Sequence, residues 1–72
     1  MNELLTEMVD ILEVDAVKPE DKLRDFDSWD SLSALSVIAM AESRFGVNIA
    51  AQELKSVETV QSLYDLIQSK KS

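Results

Sequence analysis

Cysteine and histidine are both absent from this 72-residue chain. No disulfide can form, no thiol can act as a nucleophile, and no imidazole can serve as a general base or metal ligand. Most catalytic constellations lose an essential member at once, and no base–nucleophile pair remains, so the chain is not expected to be an enzyme. Glycine and proline occur once each. So little punctuation leaves few tight hairpins, and the apolar residues recur at three- and four-residue spacing, which predicts an all-helical chain. Basic residues are also scarce, seven against fourteen acids, for a net charge of -7. Nucleic acids and anionic membranes are poor partners for such a surface, and positively charged protein surfaces are the natural ones. No run is long and apolar enough to span a membrane. Met1-Asn2-Glu3 lacks the basic start of a signal peptide. A soluble, cytoplasmic protein is expected, with residues 1–72 forming a single domain. A chain this short buries only about 60% of its unfolded surface. Per-residue scaling gives it a stability of about 4–10 kcal/mol.

A first helix is predicted from about Asn2 to Leu12, with Leu4, Leu5, Met8, Ile11 and Leu12 on one face. Asn2 is its expected N-cap, with Glu3 in the first turn. Residues 13–29 then read as a long loop. Val17, Leu23, Phe26 and Trp29 are its expected anchors in the core, and Pro19-Glu20-Asp21 a possible single helical turn. A second helix runs from Asp30 or Ser31 to Arg44 and is apolar on two sides. Ala34, Val37, Ile38, Ala41 and Phe45 form one stripe, expected to face the core. Leu32, Leu35 and Ala39 form another on nearly the opposite side. One stripe is enough to join a core, so the second is covered by another element or offered to a partner. Gly46 suits the end of this helix. Val47 and Ile49 are expected to plug the core, residues 50–54 to make a short helix, and residues 59–70 a last helix. That last helix has Thr59 as cap, Val60, Leu63, Tyr64 and Ile67 inward, and Lys70-Lys71 at its negative end.

The central stretch is Asp27-Ser28-Trp29-Asp30-Ser31-Leu32. A serine at a helix start has an ordinary reading, capping. It has a functional one as well, given the long acidic loop before it and the partner-facing stripe behind it. Asp30-Ser31-Leu32 at the start of a second helix resembles the attachment motif of acyl carrier proteins. Leu23-Arg24-Asp25-Phe26 with Trp29 resembles that family's run-in. Phe45-Gly46-Val47-Asn48-Ile49 resembles its exit from the second helix, and Val57 to Leu63 its entry to the last. The resemblance covers nearly the whole chain, in the family's order and at its length. It implies a small antiparallel four-helix bundle of three longer helices and one short one. It also implies a 4′-phosphopantetheine arm on the Ser31 hydroxyl, whose thiol would hold acyl or aminoacyl groups as thioesters. A reactive sulfur supplied by the cofactor fits the missing cysteine. A phosphodiester in the first turn would lie by the positive end of the helix dipole.

Asp30, by the same resemblance, would help the modifying enzyme orient the serine and a metal, and Leu32 would be a hydrophobic contact for that enzyme. The implied partners are a phosphopantetheinyl transferase, using coenzyme A and Mg²⁺, and the enzymes that load and unload the arm in fatty acid or secondary metabolite biosynthesis. Contacts to them are assigned to Asp30, Leu32, Leu35, Ala39 and Glu42, and the carrier is expected to be a monomer. Two features depart from the better-known fatty-acid carriers. Those bear several acids along the second helix, whereas here the outward positions are read as Ser33, Ser36 and Ser43, with only Glu42 acidic and Arg44 basic. The usual glycine before the motif is replaced by Asp27-Ser28. Docking is therefore expected to rest on the apolar stripe more than on ion pairs, as in a dedicated pathway carrier. Ala34, Ala39 and Ala41 make the helix slim, for close packing or, alternatively, to leave room for a short acyl chain. Trp29 is read as a packing anchor. An EF-hand loop starting at Asp25 fails at Asp30 and Ser36, so no specific calcium site is expected. The acids from Glu20 to Asp30 should repel one another, so that salt or Mg²⁺ stabilises the fold. The rival reading is an unmodified helical domain that binds a partner helix through Leu32, Leu35 and Ala39.

Overall fold

Helix α1 spans Asn2–Leu12 in the computed structural model, which describes residues 2–71. Leu4, Met8 and Leu12 are fully buried along it, and Leu5, Val9 and Ile11 pack beside them half-buried. Asn2 is already the first helical residue described, not a cap in front of the helix as expected. The helix ends well before Pro19, because Glu13 turns into the left-handed region at φ 55°. The Val14 amide then wraps back to the Val9 carbonyl at 3.3 Å. This is the Schellman closure that glycine usually makes, here made by a residue with a Cβ.

The loop after α1 is held at both ends. Val17 and Leu23 are buried, and Phe26 and Trp29 are half-buried against the core. The helical turn expected at Pro19 is not there. Pro19-Glu20 makes a hydrogen-bonded turn, with Asp21 N on Lys18 O, and the short 3₁₀ helix forms later, at Leu23–Asp25. The shift follows from long-range pairing. Leu23 N donates to Glu58 O at 2.9 Å, and Lys22 bridges Thr59. Val60 N donates to Asp21 O at 3.0 Å and Gln61 N to Pro19 O at 2.8 Å. The first amides of a helix have no partner within it, and for α4 the loop supplies them.

Helix α2 runs over Ser31–Met40 and continues as a wider π turn over Ala41–Phe45. Gly46 closes it at φ 68° and ψ 28°, its amide reaching Ala41 O and Glu42 O. The buried row is Ser33, Val37, Met40 and Ala41. It lies about one position round from the expected stripe, so Ala34, Ile38 and Phe45 are shoulder residues packed half-buried. Val47 and Ile49 plug the core as expected. Helix α3, Ala51–Lys55, is the short one, and α4 spans Val60–Lys71. Thr59 Oγ1 accepts from Ser62 N at 3.1 Å and caps α4. Val60, Leu63 and Ile67 are fully buried, and Tyr64 is half-buried. Four helices form the bundle, and no strand occurs among the described residues.

Three cations tie the ends together. Arg44 meets Glu7 at 3.4 Å, Lys71 Nζ lies 5.6 Å from the Phe45 ring centre, and Lys70 reaches Glu53 at 2.8 Å. The Lys70 hydrogen bond, with help from the Ala50 amide, holds the Glu53 carboxyl below the usual carboxylate range.

Candidate functional site

Asp30, not Ser31, caps α2. Its backbone is extended and its Oδ1 accepts from Ser33 N at 3.0 Å. That assignment settles the ordinary reading of Ser31. The serine is the first helical residue and exposed, and its hydroxyl makes no hydrogen bond to another described residue. The first intrahelical bond runs from Ala34 N to Asp30 O at 2.9 Å. The amides of Ser31 and Leu32 thus precede it, where the helix dipole is positive.

Leu32 is 73% exposed and Leu35 60%, and among the described residues they are the large hydrophobic ones that the bundle leaves in water. Asp30, Ala39 and Glu42 are exposed as well. At 100° per residue, Ser31, Leu32, Leu35, Ala39 and Glu42 fall within about 100° of arc on α2. The hydroxyl and the apolar stripe therefore share one strip of surface.

A groove of about 630 Å³ opens beside this strip, between α2 and the α3 segment. Trp29, Ala34, Leu35 and Ile38 form one wall; Leu54 and Val57 contribute to the other, and Ser31 is part of the lining. The three alanines divide between the two readings. Ala41 is buried in close packing, Ala34 lines the groove, and Ala39 faces outward. Trp29 packs against the core and also lines the groove.

One expected outward residue points in. Ser33 is 8% exposed, and its hydroxyl donates to Ser28 O at 2.6 Å. Ser28 Oγ in turn donates to Leu12 O at 2.8 Å. Both contacts were missed from the sequence. The available signal was position, since Ser33 stands three residues after the cap, where side chains reach back to the entering chain. Among the described residues, the acids between Glu20 and Asp30 do not converge into a group that could hold a metal ion.

Residues 2–67 match a family model described as a phosphopantetheine attachment site. This chain belongs to the acyl carrier proteins. The acyl carrier protein of Myxococcus xanthus is 38% identical over 56 residues, covering 78% of this chain and 71% of that protein. The polyketide-8 synthase acyl carrier protein 2 of Streptomyces avermitilis is 33% identical over 70 residues, covering 97% of this chain and 79% of that protein. The solution NMR structure of the holo acyl carrier protein from Geobacter metallireducens superposes with a TM-score of 0.79 at 28% identity, covering 96% of this carrier and 82% of that chain. Membership favours the carrier over the unmodified interaction domain. The cofactor of this carrier is 4′-phosphopantetheine, whose thiol holds acyl groups as thioesters. No helix among the described residues is long and apolar enough to cross a membrane.

Proposed function

We propose that Ser31 is the residue that carries the 4′-phosphopantetheine arm and that the 1–72 chain acts as one monomeric carrier domain in the cytoplasm. The observation that carries this reading is the division of labour at the start of α2. Asp30 takes the cap, so the Ser31 hydroxyl is exposed and unengaged. The residues present suit the group. A free hydroxyl can form the ester, the amides of Ser31 and Leu32 can face a phosphate, and the groove offers an apolar wall beside it. Asp30 would repel that phosphate once it is attached, so its exposed carboxylate is better used toward the modifying enzyme than toward the product.

The chain performs no chemistry on its own cargo. It presents the hydroxyl to a phosphopantetheinyl transferase and later presents the loaded arm to acyl-transfer enzymes of a biosynthetic pathway. Leu32, Leu35 and Ala39 form the docking strip, flanked by Asp30 and Glu42. With Glu42 as the sole acid on that strip beyond Asp30, docking rests on apolar contact, and its affinity should change little with salt.

The test is incubation of the purified chain with coenzyme A, Mg²⁺ and a permissive transferase, followed by intact-mass measurement. A gain of one phosphopantetheine that disappears in Ser31→Ala is expected. An unchanged mass under conditions that modify a control carrier, or a gain that survives Ser31→Ala, would overturn the assignment.

A further inference from the structure

The start of α2 is held by more than its cap. Ser33 uses two groups at once. Its amide donates to the Asp30 carboxylate at 3.0 Å and its hydroxyl to the Ser28 carbonyl at 2.6 Å. The residues just before Ser31 are thus fixed from within the helix that follows. Ser28 is fixed a second time, because its own hydroxyl donates to the Leu12 carbonyl at 2.8 Å. The bond crosses sixteen positions of sequence and joins the entering turn to the last residue of α1. Trp29 N on Phe26 O at 3.0 Å closes the turn on its other side.

We infer that Ser28 and Ser33 are positioning residues for arm attachment: the Ser33–Ser28–Leu12 chain of hydrogen bonds sets where the Ser31 hydroxyl stands relative to the docking strip. The inference rests on Ser31 being the attachment residue. The reasoning is geometric. A nucleophile must be delivered within a few tenths of an ångström, and small misplacements are costly in rate. Ser31 has no side-chain tether of its own, so its place is decided by the backbone on either side. On the helix side that backbone is regular. On the loop side it is set by Ser33 and Ser28. A glycine or alanine at position 28 could not make the bond to Leu12, so the tie depends on the serine hydroxyl. The Ser33 side chain is nearly buried, so its hydroxyl bond is shielded from competing water.

The experiment compares steady-state arm transfer for the wild-type chain and for Ser33→Ala, Ser33→Thr, Ser28→Ala and Ile67→Val, well below their melting temperatures. Ile67 is fully buried in α4 and away from the site, so Ile67→Val supplies a loss of stability without touching the turn. Ser33→Ala is expected to lower kcat about tenfold with KM for the carrier little changed, because the docking strip is intact. Ser33→Thr, which keeps the hydroxyl, should recover most of the rate. Ser28→Ala, which cuts only the tie to α1, should lose about threefold. Wild-type kcat in both alanine variants, or a loss no larger than that of Ile67→Val, would overturn the inference. Ser28→Ala decides the matter if a variant at position 33 does not fold. Failure of the Ser31 reading looks different: the wild-type chain itself would gain no arm, or would keep it in Ser31→Ala.

Discussion

The two sides of α2 are nearly equal in hydrophobicity and opposite in fate. Val37, Met40 and Ala41 are buried in the bundle, whereas Leu32 and Leu35 stand in water on the other side. A fold of this size gains stability from every leucine it covers, by roughly 1.5–3 kcal/mol each. The two left outside, Leu32 and Leu35, are the ones assigned above to the proposed docking strip. The contrast teaches that composition along a helix cannot tell a core face from a docking face. What separates them is which one the rest of the chain covers.

The largest effects should come from treating the two faces alike. Met40→Ala is expected to destabilise the fold by about 2–5 kcal/mol, read as a denaturation midpoint. For a chain of this length that is a large part of its total stability. Leu35→Ala should change stability by about 0.5 kcal/mol or less, while reducing kcat/KM for arm transfer by raising KM. A Leu35 variant as unstable as Met40→Ala would show that the strip is structural and would end the comparison.

A smaller effect concerns the turn that ends α1. Glu13 holds a left-handed conformation that disfavours any side chain. Glu13→Gly should raise stability by about 0.5–1 kcal/mol, a shift of a few degrees in Tm. A decrease would mean that the Glu13 side chain stabilises the turn by a contact of its own. Smaller again is the response to ions. The acids from Glu20 to Asp30 crowd the loop that enters α2, and screening should raise Tm by about 2–5 °C between low and moderate salt. Because those acids form no metal-holding group among the described residues, Mg²⁺ and a monovalent salt should act alike at equal ionic strength. A Tm unmoved by salt would show that the repulsion is negligible.

The smallest effect lies away from both faces. Lys70 and the Ala50 amide depress the Glu53 pKa. A depressed carboxylate contributes stability that is present above its unfolded pKa and lost as pH falls through the folded one. Glu53→Gln should therefore lower Tm slightly at pH 7, and the gap to wild type should close on the acid side, below about pH 4. A gap that widened on acidification would contradict the Lys70 contact.

Local chemistry made much of this fold readable in the sequence. The periodicity of Leu4, Met8 and Leu12, the glycine at 46 and the threonine at 59 each act within a turn or two of chain, and each sits in the structure where that chemistry requires. What could not be read depends on partners far along the chain. The 3₁₀ turn at Leu23–Asp25 is drawn there by Glu58 and Thr59, and Pro19 alone gave the wrong place. Ser33 was read as outward from its polarity, but Ser28 O, brought close by the loop, makes a buried position acceptable to a hydroxyl. The π turn at Ala41–Phe45 carries no sequence mark beyond the glycine that ends it. At the candidate site the Asp30-Ser31-Leu32 tripeptide marked the position. Which of the two hydrophilic residues would cap the helix needed the backbone.

The loop's carbonyls at Pro19 and Asp21 close the amino end of α4. Lifting the loop would strip two amides of α4 of their acceptors in the same event, so the two segments should open together as one cooperative unit. The loop is therefore held to the bundle through the start of α4 as well as through the buried Val17 and Leu23. The entrance to α2 is thus tied, through the loop that leads to it, to the start of α4.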